Sequence, residues 1–289
     1  MPGLEMVDWA EAQAALREEV ARVVALLRTV KNPTAHAVGN WTLAEVAMHL
    51  FQAFVIVPGL ARGDISAAHE LLPDLAGRHG ESLIGDVWDL GETTMSGVGA
   101  DPERDPRVLA DRIEARAAAF FEEARGHTAD ERRAWLVEGT SMPMPVFTCH
   151  LLNEAVMHGR DIAKADGQHW PIKPAHAGLI FDGFIWPVFG ALGSRAMVDQ
   201  KAAAGVRAVY DVRIRGGSRY RFTFDDGSLV IEPPSSERVD CHISADAIAF
   251  LLVAWGRQSQ YSAIAKGKLM AWGRKPWLGP KFRSYLRNP

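Results

Sequence analysis

His150, Glu154 and His158 recur at steps of four within residues 145–167, with Asp161 three further on, and no other feature constrains the fold of this chain as tightly. Steps of four and three place all four side chains on one narrow face of a helix. Their neighbours Leu151, Leu152, Ala155, Val156, Met157, Ile162 and Ala163 are apolar, where a solvated face would carry Lys and Glu. The helix is therefore expected to be buried on most sides. Two imidazoles and a carboxylate in such surroundings need partners, because a buried polar group left unpaired costs on the order of 1–3 kcal/mol.

Two kinds of partner are open. These are either core histidines hydrogen-bonded to backbone and to Glu154, or ligands of a shared metal ion. Geometry limits the second choice. Positions i and i+8 lie about 12 Å apart along a helix, too far for His150 and His158 to reach one ion through bonds of about 2 Å. His150 with Glu154, or Glu154 with His158, can each supply two ligands, and the rest must come from another helix. Cys149 sits about 180° round the helix from His158 and faces the opposite side.

Upstream, Asp8 and Glu11 form a capping pair for a first helix in which Leu16, Val20, Val23, Leu27 and Val30 make an apolar stripe, stopped by Asn32 and Pro33. Residues 41–46 carry a sharper signal. Thr42 is an N-cap, Glu45 its reciprocal partner, and Trp41 with Val46 a hydrophobic staple. On the helix that follows, His49 falls on the same face as Val46, Leu50, Ala53 and Val57 and needs a buried partner. Residues 64–103, with short apolar pieces such as Leu71-Leu72 and residues 87–90, read as loops and short helices. Asp105-Pro106 starts a third long helix that runs through Ile113, Phe120 and Phe121 and stops at Gly126. With residues 145–167 this makes four helices joined as an up-down bundle requires. The very apolar residues 177–192 suit core or interface first, and the wall of a lipid cavity second.

The pattern changes after Gly205. Alternation in residues 206–214 and 220–224, joined by Gly216-Gly217, then Asp226-Gly227 and residues 229–231, predicts an antiparallel meander. Residues 239–244 read as a fourth strand ending in a helix cap at Ser244, residues 245–255 as a helix, 268–272 as a fifth strand and 277–286 as a closing helix. Residues 266–289 hold seven Lys or Arg and no acid, a solvated face or an attraction for anionic headgroups or a carboxylate.

Composition excludes some classes. A formal net charge of −3 argues against bulk phosphate neutralisation and hence against a nucleic-acid partner. Two cysteines, Cys149 and Cys241, set no disulfide framework and suit a reducing cytoplasm. No signal peptide is expected at the N-terminus, and no apolar run is expected to span a membrane; the closest, residues 183–193, is too short and follows Asp182.

Trp-Thr-x-x-Glu-Val-x-x-His-Leu at residues 41–50, followed by Glu-x-x-x-His-Gly-Arg-Asp at residues 154–161, resembles the DinB-like mycothiol-dependent maleylpyruvate isomerase family. Residues 239–244 followed by Gly-Lys-Leu-x-x-x-Gly at residues 267–273 resemble the sterol-carrier-protein type of C-terminal domain. The fold class implied is α plus α+β: a DinB-like four-helix bundle over residues 1–197, then a smaller sterol-carrier-like α+β domain with an antiparallel sheet over residues 198–289. The resemblance also implies that His49, Glu154 and His158 bind a divalent metal, commonly zinc. His150 is then a neighbour, and Asp161 either orients a ligand imidazole or forms a surface salt bridge.

The family further implies mycothiol as thiol cosubstrate and a small-molecule electrophile. Metal coordination would turn the thiol into the attacking thiolate of an S-transferase or of a maleylpyruvate-type cis-trans isomerase. Arg62, Arg78 and Arg160 are open choices for binding a substrate carboxylate. Two other readings stand beside this one: a sterol or acyl-lipid carrier on a non-catalytic bundle, and a metal-binding regulatory protein without turnover.

Overall fold

Four long helices carry the N-terminal half of the protein among the described residues, three of them begun where the sequence supplies a side-chain cap. The structure, a computed structural model, describes residues 6–64, 66–71 and 90–287. Helix α1 (Trp9–Thr29) starts at Asp8, whose side chain accepts from the Glu11 N–H at 2.9 Å. A two-stranded ribbon, β1 (His36–Val38) with β2 (Trp41–Thr42), leads into α2 (Leu43–Arg62). The capping box holds: the Thr42 N–H donates to Glu45 Oε2 at 2.7 Å and the Glu45 N–H to Thr42 Oγ1 at 3.3 Å. Between residues 64 and 105 lie the short helices α3 (Ser66–Leu71) and α4 (Leu90–Ala100); residues 72–89, with Leu72 and the 87–89 piece, fall outside the described residues. Helix α5 (Pro106–Ala124) begins at Asp105 with Pro106 in its first turn. A second ribbon, β3 (Arg132–Ala134) with β4 (Ser141–Pro143), precedes α6 (Met144–Ala165), the helix of the His-Glu-His face.

In the bundle α1 packs on α5 and α6, and α2 packs on the same two. The pairs α1/α2 and α5/α6, each joined through a ribbon, therefore lie across diagonals, unlike the simple up-down order expected from sequence. The two ribbons explain this, because connections of that length can cross the end of a bundle. Both ribbons also touch α2 and α6, the helices that carry the site. Trp9 at the start of α1 donates its Nε1–H to Thr148 Oγ1 on α6 at 2.8 Å.

Gly159 is required by close approach. A Cβ there would lie 2.5 Å from Cζ2 of Trp170, whose indole is itself held under the Arg22 guanidinium at 4.1 Å. Gly159→Ala is expected to destabilise the protein by about 1–3 kcal/mol through overpacking. Thermal unfolding should show it as a drop of about 2–4 °C per kcal/mol.

The two compact units divide between Pro171 and Ile172, where the sequence reading places the boundary at residues 197 and 198. The apolar stretch 177–192 accounts for the difference. It forms α7 (Pro174–Ile180), a π-helical turn (Phe181–Ile185) and α8 (Trp186–Met197), which pack on the C-terminal sheet and its helix. Phe181 and Trp186 are core residues there, stacked at 5.3 Å. The half-buried carboxylate of Asp182 accepts from Ser218 Oγ and Tyr220 Oη, both at 2.5 Å.

The sheet contains β5 (Arg207–Arg215), β6 (Arg219–Asp225), β7 (Ser228–Glu232), β8 (Cys241–Asp246) and β9 (Leu269–Trp272) in the order β7-β6-β5-β8-β9. It is antiparallel except that β5 and β8 run parallel. Asp226 and Gly227, both at positive φ, make the two-residue β6–β7 hairpin turn. Pro233 and Pro234 then end β7, and the chain crosses to the free side of β5. Tyr210, Val212, Ile214, Phe222 and Phe224 point into the core, and the alternating residues of both strands form the opposite face.

Three local expectations change. Strand β8 continues to Asp246, which caps α9 (Ala247–Ala254) by accepting from the Ala249 N–H, so Ser244 is not the cap. A short α10 (Gln260–Ala265) was not foreseen. The closing helix is a 3-10 helix, Pro276–Tyr285, because Pro280 lacks the N–H that an α-helix needs. Two stretches, Leu43–Arg62 and Pro174–Met197, are long and apolar enough to cross a membrane, contrary to the sequence reading. Their apolar windows are 83% and 61% buried inside the protein, as core helices are.

Candidate metal centre

The capping box sets the register of α2, and that register turns His49 toward α6. On α6 the steps of four bring Glu154 and His158 to the same place. His49 Nε2 lies 3.2 Å and His158 Nε2 3.3 Å from Glu154 Oε2, and the three ligand atoms all lie within 4.8 Å of one another. Tetrahedral ligands at about 2.05 Å from an ion are about 3.3 Å apart, which the two separations from Glu154 Oε2 match. The two imidazoles meet edge to face at 4.7 Å. The structure thus joins the three residues proposed from sequence, across 105 residues of chain between His49 and Glu154.

The surroundings hold this set in place. Asn153 Nδ2 donates to Glu154 Oε1 at 3.2 Å, leaving Oε2 for the centre. Asp161 is buried, with Oδ2 3.5 Å from His158 Nδ1, so it belongs to the site and not to the surface. Its other oxygen lies 3.7 Å from Arg160. His150 is buried beside Glu154 Oε1 at 3.7 Å, on the side away from His49 and His158. The rings of Trp41 and Trp135 lie 5.3 Å from His49 and 5.9 Å from His150. Of the three arginines, Arg62 is bound to Glu123 at 3.0 Å, Arg78 lies outside the described residues, and Arg160 reaches the site through Asp161.

Electrostatics sort the three titratable groups of α6 that face one another, Glu154, His158 and His150. Burial alone would raise the Glu154 carboxyl, but the hydrogen-bonding imidazoles of His158 and His49 overcome it and hold Glu154 well below its ordinary range. Burial pushes His158 down, yet Asp161 and Glu154 outweigh it and raise this imidazole to about 9. Burial dominates at His150, lowering it to about 4, so that it is neutral at physiological pH. The site therefore offers an ionised carboxylate and a proton on His158 that a cation can displace.

Sequence reasoning missed Asn153, Trp41 as a wall and Trp135. Asn153 adjoins Glu154 and could have been suspected; the two tryptophans depend on where the ribbons fold. Asp161→Asn should lower metal affinity about 10–100-fold, the usual effect of losing the group that orients a ligand imidazole. Competition with a chromophoric chelator measures it.

The family model described as mycothiol maleylpyruvate isomerase N-terminal domain matches residues 13–163, just over half of the chain. The SCP-2 sterol transfer family matches residues 189–273. Among solved structures, a mycothiol-dependent maleylpyruvate isomerase is similar at 13% identity with a TM-score of 0.45, and a mutant form at 11% with a TM-score of 0.49. Each comparison covers 94% of this chain and 95% of the other. A UbiJ-SCP2 ubiquinone synthesis protein is similar at 17% identity and a TM-score of 0.24, over 29% of this chain and 68% of that one. No curated protein matches.

Proposed function

The chain belongs to the mycothiol maleylpyruvate isomerase N-terminal domain family, and from that premise we propose that it is a metal-dependent, mycothiol-using enzyme acting on a small electrophile. The observation that carries this reading is the meeting of His49 Nε2, Glu154 Oε2 and His158 Nε2 within 4.8 Å. Three protein ligands leave a coordination position open, as catalytic sites do and structural sites do not. A dication held there, zinc by the chemistry of the donor set, lowers the pKa of a coordinated thiol from about 8.5 and keeps it as thiolate at neutral pH.

The chain's own residues prepare for that chemistry. Glu154 brings one negative charge and the two imidazoles none, so the loaded site is left one positive charge that an anionic sulfur balances. Asp161 orients His158 from behind, while Asn153 holds the far oxygen of Glu154. Neutral His150 adds no positive charge to repel the cation. The thiolate sulfur then forms a bond to an electrophilic carbon. In isomerisation the double bond becomes single, rotates and is restored as sulfur leaves; in S-transfer a leaving group departs or an epoxide C–O bond breaks. A cytoplasmic location follows from this reading, because both cysteines are free thiols and the cosubstrate is a small reduced thiol.

The test is turnover by metal-loaded protein with mycothiol and, in turn, maleylpyruvate, an epoxide and a haloarene. Thiol-dependent consumption of one of them, abolished by chelation and restored by metal, is the expected result and separates isomerase from transferase. Bound metal without consumption of any would favour a regulatory metal protein.

Sterol or acyl-lipid binding by the C-terminal unit is a second reading. An apolar pocket favours it, lined by residues such as Phe184, Ile185, Phe189, Phe250 and Leu286. A copurifying lipid, found by extraction and mass spectrometry, would support it.

A further inference from the structure

The solvent-facing side of the C-terminal sheet carries a row of side chains that neither reading uses. Strand register sets two rungs across it. On the first, Arg219 of β6 lies opposite Arg213 of β5, which pairs with Ser244 of β8. On the second, Asp211 of β5 pairs with His242 of β8, which pairs with Trp272 of β9. Arg215 extends the row by one more outward position and is braced at 3.1 Å by the Lys268 carbonyl and at 3.4 Å by Ser244 Oγ. All of these residues line one cavity of about 600 Å³ that opens to solvent.

Charge accounting makes this cavity unusual. Asp211, the acid on its wall, is already engaged: it accepts from Arg219 at 2.6 and 2.7 Å and faces His242 Nδ1 at 2.6 Å. Arg213 is exposed and makes no ion pair among the described residues, yet it sits directly opposite Arg219. Like charges facing each other across neighbouring strands are destabilising. An anion between them would convert that repulsion into charge-assisted hydrogen bonds, and guanidinium forks match phosphate and carboxylate oxygens. His242 and Trp272, stacked at 5.5 Å and 16°, form a flat wall beside the arginines.

We propose that this sheet face is a binding site for a small multiply charged anion, a phosphate ester or a di- or tricarboxylate, gripped by Arg213, Arg215 and Arg219. The proposal does not rest on the thiol chemistry proposed for His49, Glu154 and His158.

Calorimetric titration of the full-length protein with pyrophosphate and, separately, with citrate at low ionic strength tests this. Saturable binding at one site per chain is expected, weakened about tenfold or more by Arg213→Ala, in keeping with the loss of one charge-assisted contact. Arg207→Ala is the control. Arg207 is on the same outward face of β5 but is paired with Asp225 at 3.0 Å and lies outside the cavity, so its removal should leave affinity unchanged. Saturation by pyrophosphate alone would identify phosphate as the ligand group, and by citrate alone carboxylate. Absence of saturable binding with both probes, or equal weakening by Arg207→Ala and Arg213→Ala, would overturn the proposal.

Discussion

His49→Ala is expected to leave the protein folded and unable to hold its metal ion. In wild type the imidazole of His49 is the contribution of α2 to a set otherwise drawn from α6. Without it Glu154 and His158 remain, a pair at adjacent helical turns that cannot enclose an ion from two sides. Loss of an outer group such as Asp161 costs about 10–100-fold in affinity, and loss of a direct ligand should exceed that. His158→Ala should behave like His49→Ala, whereas His150→Ala should keep its ion, because His150 faces the other oxygen of Glu154. Metal content after dialysis should be about one ion per chain for wild type and His150→Ala and near zero for the other two. Circular dichroism should show native helix content in all four, since in His49→Ala the Glu154 carboxylate keeps His158 and Asn153 as partners.

The second large effect is on pH. Metal binding needs a neutral His158, and without metal that imidazole stays protonated up to about 9 because Asp161 and Glu154 outweigh the effect of burial. Each ion bound below that pH therefore displaces a proton from His158. Apparent affinity should rise about tenfold per pH unit between about 6.5 and 8.5, so about 100-fold across the range, and level off above 9. Glu154, ionised throughout, adds no slope from its own carboxyl.

The metal-free protein should show the complementary trend. Its His158 has a folded-state pKa above the unfolded value of about 6.5, so the stability it contributes is complete below that pH and is lost as pH rises toward 9. Calorimetry in buffers of different ionisation enthalpy, run near pH 7.5, counts the released proton directly. Asp161→Asn removes one of the groups that raise His158 and should move the plateau to lower pH.

Much of this site could be read from local chemistry. Thr42 and Glu45 announce where α2 begins, so the face presented by His49 follows from counting turns, and steps of four on α6 align Glu154 with His158. The sequence pattern left His150 or His158 open as the partner of Glu154; family resemblance chose His158, which lies beside the same oxygen that His49 reaches.

What could not be read depended on tertiary placement. Alternation in residues 206–214 tells which side chains of β5 face inward but not which strand pairs on its second edge, and the parallel partner β8 was therefore missed. Residues 177–192 are apolar on nearly every side, so periodicity offered no hint that they pack with the C-terminal sheet. Pro280, in contrast, was a legible sign against a closing α-helix.

Anomalous diffraction from crystals of the metal-loaded protein, collected on both sides of the metal's absorption edge, tests the central claim most directly. A single peak bonded to His49 Nε2, Glu154 Oε2 and His158 Nε2 at about 2.0–2.2 Å is the predicted result. A peak on His150, or no peak among the three side chains in protein shown by analysis to carry metal, would contradict it.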